Sequence, residues 1–179
     1  TMCGTYKLYT KPKLPTWRPR GRLDFQLIYN AAGKAHFHFD NNDEETIVHA
    51  GHMVLYRPKE PQKYEYYAKD QTEVYWVHFT GNNITNILRQ HGISDDMHII
   101  YTGTSLEYKR IFTSIINELR FCKSEYEELC VYYLMELLIL THRLSSEKPR
   151  NTSFNISEIS RAIGYENPLY FSRIFKKQS

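Results

Sequence analysis

The stretch "DFQLIYNAAGKAHFHFD", residues 24–40, decides which fold class the sequence predicts. Its first part is rich in β-branched and aromatic residues up to Gly33, and its second part alternates polar and apolar side chains strictly. Both patterns are typical of β-strands, and a glycine between them ends the first strand. We therefore predict two consecutive strands here.

Four further strand-like segments follow before Gly81, namely "ETIVHAG", "HMVLYRP", "QKYEYYA" and "EVYWVHFTG". Short strands at even spacing, separated by polar turns, are typical of an antiparallel sandwich or barrel. Strands and helices do not alternate in this half of the chain, so a doubly wound nucleotide-binding sheet is not expected.

Beyond Gly81 the apolar residues take a helical period. "NNITNILRQHG" predicts a short helix that ends at Gly92, and the i, i+3, i+4 spacing between Tyr108 and Cys122 predicts an amphipathic helix.

A third helix is predicted from "SEYEELCVYYLMELLILTHRL", with Ser124 and Glu127 as a capping box at its start. After Leu129 this helix is apolar on nearly every face. We expect one side to pack within the chain and the other against a second subunit; burial within a single chain is the alternative.

Composition limits the possible classes. The 179 residues are 41% hydrophobic and 24% charged, which allows one ordinary domain with a small appendage and excludes disorder throughout. The net charge of +3 is no argument for nucleic acid, but residues 1–23 contain six cations and no acid, and residues 152–179 contain four cations against two acids. Both ends are therefore basic.

The three cysteines, Cys3, Cys122 and Cys130, have no metal-ligand spacing. They predict a reducing, cytoplasmic setting, with Cys122 and Cys130 as core residues. No apolar run reaches the ~18 residues that span a bilayer, so no membrane partner is expected.

The segment "NISEISRAIGYENPLYFSRIFKKQS", residues 155–179, predicts two short helices on either side of Gly164. Asn155 caps the first helix, and Asn167 caps the second with Pro168 at its first position. On a helical wheel one face of the second helix carries Leu169, Ser172, Arg173 and Lys176. Such a face suits a major groove, where Arg binds a guanine edge, Leu contacts a thymine methyl, and Ser, Lys and the helix N-terminus hold phosphates. A plain helical hairpin with a solvated basic face is the alternative.

These closing residues closely resemble the second helix-turn-helix of AraC-type transcription regulators, which are bacterial-type proteins. The pattern is carried by Ile156, Ile159, Ser160, Gly164, Tyr165, Tyr170, Phe171, Ser172, Arg173, Phe175, Lys176 and Lys177, with Ser160 in place of the usual Ala. The front half resembles the cupin-type effector domain of the same family.

The resemblance implies a mixed fold, β then α. An N-terminal arm and a cupin-like jelly-roll β-barrel occupy residues 1–81, and dimerisation helices occupy residues 82–146. A polar linker follows at residues 147–151, and a partial helix-turn-helix DNA-binding domain at residues 152–179.

The sequence departs from the family because AraC-type DNA domains have two helix-turn-helix units joined by a long helix, and only the second is present. The 28 residues from Thr152 to Ser179 are fewer than the ~40 that usually build an independent core. We expect the first unit to be missing between "KPRN" and "TSFN"; a natural short form is the alternative.

A cupin metal site needs two nearby His, a carboxylate and a third His on a later strand. His36 and His38, with Glu44 or Glu45, come one strand too late in the chain, and Gln62 lies where the resemblance implies the third His. We therefore expect no metal and no cofactor, although a cupin-type metal-dependent sugar-modifying enzyme is the alternative function.

The resemblance implies a small-molecule effector, and because sensors of this family often bind small carbohydrates, it implies a small carbohydrate here. Trp offers an apolar face to sugar C–H groups, and Arg donates paired hydrogen bonds to hydroxyls or carboxylates. The candidate ligand-binding residues are Trp17, Arg18, Arg20, Arg22, Tyr64, Trp76 and His78. Barrel core for Trp76 and a solvated tail for the arginines are the alternatives; arginines that face the cavity would favour an acidic sugar.

The sequence thus predicts a ligand-responsive, sequence-specific DNA-binding transcription regulator that acts as a homodimer and is not an enzyme. Its predicted DNA-binding residues are Asn167, Pro168, Leu169, Ser172, Arg173 and Lys176. Ligand binding would shift the arrangement of two DNA domains through the linker.

Overall fold

The computed structural model describes residues 1–8, 11–39 and 44–146. Residues Thr1–Ser146 form one compact unit. The predicted linker and the predicted DNA-binding residues therefore lie outside the described residues.

The described residues contain nine strands and three α-helices. The strands are β1 (Met2–Lys7), β2 (Lys13–Arg18), β3 (Phe25–Ala32), β4 (Lys34–His38), β5 (Thr46–His49), β6 (His52–Tyr56), β7 (Gln62–Tyr67), β8 (Glu73–Phe79) and β9 (Ile99–Tyr101). The helices are α1 (Ile84–Gln90), α2 (Leu106–Phe121) and α3 (Tyr126–Ser146).

The strands form two antiparallel sheets. The five-stranded sheet has the order β1-β8-β3-β6-β9, and the four-stranded sheet has the order β2-β7-β4-β5. Side chains of both sheets share one core, in which Ile28 and Val54 of the five-stranded sheet meet Phe37 and Tyr64 of the four-stranded sheet. The predicted barrel is therefore a pair of facing sheets, and a single closed barrel is not observed in the described part of the chain.

Strand β3 is covered on both faces because side chains alternate along a strand. Ile28 points into the core between the sheets. Leu27 and Tyr29 point the other way, into a second core that α2 and α3 share. The five-stranded sheet is thus the middle of three layers, which explains why every residue of β3 from Phe25 to Ala31 is buried.

The helices pack on the outer face of the five-stranded sheet. Ser105 caps α2, and its hydroxyl accepts a hydrogen bond from the backbone N–H of Glu107 at 3.1 Å. Just before α2, the backbone N–H of Ser105 donates to the Tyr29 hydroxyl at 3.2 Å. The core between these layers is completed by Cys130, Leu134, Leu137 and Leu138 of α3.

Two predictions about the helix ends are wrong. Helix α3 begins at Tyr126, two residues after Ser124, and Glu125 directly before it has a left-handed φ of 58°, so Ser124 and Glu127 form no capping box. Cys122 ends α2 in a left-handed conformation and its side chain is exposed, whereas Cys130 is buried as expected.

Two strands, β1 and β2, precede Asp24. Strand β1 pairs with β8 at the edge of the five-stranded sheet, and β2 pairs with β7 at the edge of the four-stranded sheet. Strand β9 pairs with β6 and lies beyond residue 81, so the sheets continue past the predicted end of the barrel. Among the described residues, no helix is long and apolar enough to cross a membrane.

Glu73 connects β1, β8 and α2. Its carboxylate lies 3.5 Å from Lys7 Nζ and 2.8 Å from Lys109 Nζ, and it accepts a hydrogen bond from the Tyr75 hydroxyl at 3.1 Å. The hydrogen bond from Lys109 is the main reason that the pKa of Glu73 is lowered. The edge strand β1 is therefore tied to the helical layer through one ionised carboxylate.

We predict that Phe112→Ala lowers the free energy of unfolding by about 3–5 kcal/mol, because Phe112 is 0% exposed and its ring stacks on Tyr29 between sheet and helices. The matched control is Phe121→Ala at the end of the same helix, where the ring is 61% exposed and the change should stay within about 0.5 kcal/mol. Urea denaturation followed by circular dichroism measures both. Equal losses in the two variants would contradict the three-layer arrangement.

Candidate functional site

A cavity of about 220 Å³ lies between the two sheets, where their edge strands β1 and β2 come together. Side chains of β1, β2, β3, β7 and β8 line it, together with Arg22 from the segment before β3. Five strands from both sheets therefore contribute to one site, which is how a sandwich brings residues distant in sequence together.

The aromatic wall of the cavity is Trp76. Its indole ring stacks on Tyr6 at 6.1 Å between ring centroids, and the His78 ring meets it edge-on at 5.1 Å. Gly4 pairs with Trp76 across the β1–β8 ladder, and a Cβ atom at Gly4 would lie only 2.6 Å from Trp76 Cζ2. The glycine therefore leaves the space that the indole ring occupies.

Arg18 brings a positive charge to the cavity. Its Nη1 donates to Gln62 Oε1 at 2.9 Å and to the Tyr64 hydroxyl at 3.5 Å. Gln26 Nε2 donates to the same hydroxyl at 3.3 Å. All these partners are neutral, and no carboxylate among the described residues forms an ion pair with Arg18.

Arg22, by contrast, is neutralised. Its Nε and Nη2 donate to the two carboxylate oxygens of Asp24 at 2.7 and 3.0 Å. These bonds hold the pKa of Asp24 below its usual range. His78 Nδ1 lies 3.3 Å from the same carboxylate, yet burial, followed by the charge of Arg22, lowers the pKa of His78. The imidazole is therefore neutral at pH 7.

Three buried polar atoms around the cavity have no hydrogen-bond partner among the described residues. They are Gln26 Oε1, Gln62 Nε2 and Trp76 Nε1. Gln26 and Gln62 are 3% and 0% exposed. Because an unpaired buried polar group is costly, such atoms indicate a site that water or a ligand completes.

Five of the predicted ligand-binding residues line this cavity, namely Arg18, Arg22, Tyr64, Trp76 and His78. The other two do not. Trp17 is 62% exposed, with Lys63 Nζ 5.5 Å from its ring centroid, because alternation along β2 turns Thr16 and Arg18 inward and Trp17 outward. Arg20 lies exposed in the turn after β2.

Sequence reasoning missed Tyr6, Thr16, Asp24, Gln26 and Tyr66. Tyr6 and Thr16 belong to strands that were not predicted, and Asp24 acts through its contacts with Arg22 and His78. Gln26 had a usable signal, since it is a polar side chain between the apolar residues Phe25 and Leu27 of a strand. A buried polar residue in such a position commonly has a specific partner.

The imidazole of His36 lies between two carboxylates. His36 Nε2 lies 2.8 Å from Asp70 Oδ2 and its Nδ1 lies 3.0 Å from Glu45 Oε1, so this imidazole links the turn after β7 to β4. Among residues 1–8, 11–39 and 44–146, no three His, Cys, Asp or Glu side chains are placed to hold a metal ion together.

A second hollow of about 410 Å³ lies beside Phe39, Glu44, Met97 and His98. It is larger but more open to solvent, and its charged lining residues are the carboxylates of Glu44 and Asp96. The cavity beside Trp76 is the more enclosed of the two, which favours it as a candidate ligand site.

Comparison with known proteins identifies the family. The model of the AraC-like ligand binding domain matches residues 11–138, which is most of the chain, and the chain therefore belongs to this family. No curated protein matches the chain.

Solved structures with a similar fold include ToxT from Vibrio cholerae. An apo variant of ToxT matches with a TM-score of 0.54 and 11% identity, covering 90% of this chain and 63% of that chain. ToxT bound to (E)-4-(8-methylnaphthalen-1-yl)but-3-enoic acid matches with a TM-score of 0.52 and 12% identity, covering 90% and 64%. At these identities the likeness concerns the fold alone, and the chain spans less than two thirds of these two ToxT chains.

We predict that Gly4→Ala displaces the Trp76 indole, since the added methyl overlaps the ring, and lowers the free energy of unfolding by about 1–3 kcal/mol. Tryptophan fluorescence and near-UV circular dichroism measure the displacement. Gly81→Ala is the control, because its Cβ would lie 3.2 Å from the Ile84 side chain and would leave both tryptophans in place. Unchanged spectra for Gly4→Ala would contradict the described position of Trp76.

Proposed function

We propose that this chain is a ligand-responsive transcription regulator whose effector binds in the cavity between the two sheets. One observation carries the proposal: in a chain of the AraC-like ligand binding family, the enclosed inter-sheet cavity has a cationic side chain, an aromatic wall and buried polar atoms without partners. These are the features of a small-molecule site. The described lining residues include no carboxylate, and the proposal assigns the cavity ligand binding.

The proposed effector is a small carbohydrate. The volume of about 220 Å³ is below the ~300–1,000 Å³ of sites for drug-sized ligands, which favours one small ring. The indole of Trp76 can take the C–H face of such a ring. ToxT bound to a substituted butenoic acid shows that a protein of this fold can hold a small organic molecule.

The proposed output is DNA binding by residues 152–179. The motif in this segment supports the proposal, with Arg173 and Leu169 on base edges and Ser172, Lys176 and the helix N-terminus on phosphates. Asn167 would cap this helix, and Pro168 would occupy its first position. Effector binding would then shift the population of DNA-binding geometries.

The proposed assembly is a homodimer formed through α3. One face of this helix is buried against the chain through Cys130, Leu134, Leu137 and Leu138. A neighbouring stripe remains exposed, in which Val131, Tyr132 and Ile139 are 58%, 69% and 39% accessible. Exposed apolar side chains that share one helix face are typical of a protein interface. A second copy of the same stripe would cover them by two-fold symmetry.

We predict that Tyr132→Glu weakens the dimer at least about tenfold, because it places a charge in the exposed stripe. Analytical ultracentrifugation of the full chain measures the dissociation constant. Leu144→Glu is the matched control, since Leu144 is 51% exposed on the same helix but lies off the stripe. If wild-type protein is monomeric, or if both variants dimerise equally, α3 is not the dimer interface.

We predict that Arg173→Ala weakens specific DNA binding by about 1–3 kcal/mol and relaxes sequence preference, as expected for an arginine on a base edge. Fluorescence anisotropy measures the affinity, with a duplex selected from a random pool by the full chain and with salt varied. Arg120→Ala, an exposed arginine on α2, is the control that should leave binding unchanged. Absence of salt-dependent binding by the full chain would contradict the proposed output.

A further inference from the structure

We infer that the effector is a hydroxylated monocarboxylate, such as a hexuronic acid, and that Arg18 is the residue that selects it. The inference deepens the proposed function, because it takes the cavity beside Trp76 as the effector site. It depends on the charges and on the unpartnered polar atoms around that cavity.

The two arginines of the cavity differ in their partners. Arg22 donates two hydrogen bonds to one carboxylate, Asp24, and its charge is compensated. Arg18 uses only Nη1, toward the neutral Gln62 and Tyr64, so its Nε and Nη2 make no hydrogen bond to any described residue. A guanidinium with free N–H groups in one plane is suited to a bidentate bond with a carboxylate.

The charge balance favours a ligand with a single negative charge. Arg22 and Asp24 compensate each other, and His78 is uncharged at pH 7 because burial and Arg22 lower its pKa. Arg18 is left as the uncompensated charge among the cavity-lining residues that the structure describes. A monoanion neutralises it, whereas a phosphate dianion would bring a second charge without a partner.

The unpartnered polar atoms define the rest of the ligand. Trp76 Nε1, on a residue that lines the cavity, is a donor and requires an acceptor. Gln26 Oε1 is an acceptor and requires a donor, which a carboxylate or ether oxygen cannot supply but a hydroxyl can. A ligand with a carboxylate and at least one hydroxyl satisfies all of them.

Size and shape restrict the ligand further. At ~30 Å³ for each water molecule, a cavity of about 220 Å³ holds about seven waters, which is space for one six-membered ring with its substituents. Trp76 provides a flat apolar face backed by Tyr6. A ring with an apolar C–H face, hydroxyls at its edge and one carboxylate meets each of these conditions.

The test is calorimetric titration of the full chain with D-galacturonate and D-glucuronate, with the parent hexoses D-galactose and D-glucose, and with their 6-phosphates. We expect at least one uronate to bind at least tenfold more tightly than its parent hexose. The same margin is expected over the 6-phosphate of that hexose. Arg18→Gln should lower the affinity for the uronate at least about tenfold and so remove the preference for the acid.

Controls separate charge selection from misfolding. Arg20→Gln removes an equal charge from an exposed residue two positions after Arg18. This variant should bind the uronate like wild type. Arg18→Lys keeps the charge but loses the planar fork, so its affinity for the uronate should lie between those of wild type and Arg18→Gln. Asp24→Asn frees Arg22 and should raise the affinity for the sugar phosphates.

The outcomes distinguish the inference from the proposed function. Hexoses that bind as tightly as uronates, or uronate binding that Arg18→Gln leaves unchanged, would overturn the inference and leave a neutral carbohydrate as the effector. Tighter binding of the sugar phosphates than of the uronates would overturn the inference that the effector carries a single negative charge. No saturable binding of any of these sugars would overturn both the inference and the proposed carbohydrate effector, while the DNA-binding prediction would stand separately.

Discussion

The structure depends on the burial of the five-stranded sheet on both faces. Its central strand β3 directs Leu27 and Tyr29 toward the helices and Ile28 toward the other sheet, so neither face can be left in water. Burial of such side chains contributes about 1.5–3 kcal/mol each, which makes this strand the main hydrophobic connection of the three layers. Helix α2 covers one face with Phe112, and the four-stranded sheet covers the other with Phe37.

The same constraint creates the cavity. The apolar core between the sheets fills their central part, while at the β1 and β2 edges the inward positions are Tyr6, Arg18, Gln26 and Trp76. Strand β1 serves two layers there. Tyr6 faces the cavity, while Cys3 Sγ lies 3.8 Å from the carbonyl oxygen of Phe112 on α2. A ligand that moves Tyr6 therefore acts on a strand that Glu73 also ties to α2 through Lys7 and Lys109.

The sequence was sufficient to predict the strands with a clear hydrophobic pattern, and its helical period was sufficient to predict α2 and α3. It was insufficient for β1 and β2, because their residues include Gly4, Pro15 and several charges, and they are held by pairing with β8 and β7 rather than by propensity. The start of α3 was misplaced because Ser124 fits the cap pattern locally, yet the chain reaches the helix through Glu125.

The candidate site was predictable in part for a physical reason. Trp76 and His78 share a face of one strand, so their common location follows from a period of two. The difference between Arg18 and Arg22 was not predictable, because it depends on which arginine meets Asp24 in three dimensions. Trp17 was predicted as a ligand-binding residue together with its sequence neighbour Arg18. On β2, however, its side chain is exposed and points away from the cavity.

The most direct test of the central claim is a crystal structure of the chain with bound D-galacturonate. The account predicts electron density between the two sheets, with the sugar ring against Trp76 and its carboxylate within hydrogen-bond distance of the Arg18 guanidinium. Density beside Phe39 and His98, or a carboxylate that displaces Asp24 from Arg22, would contradict it.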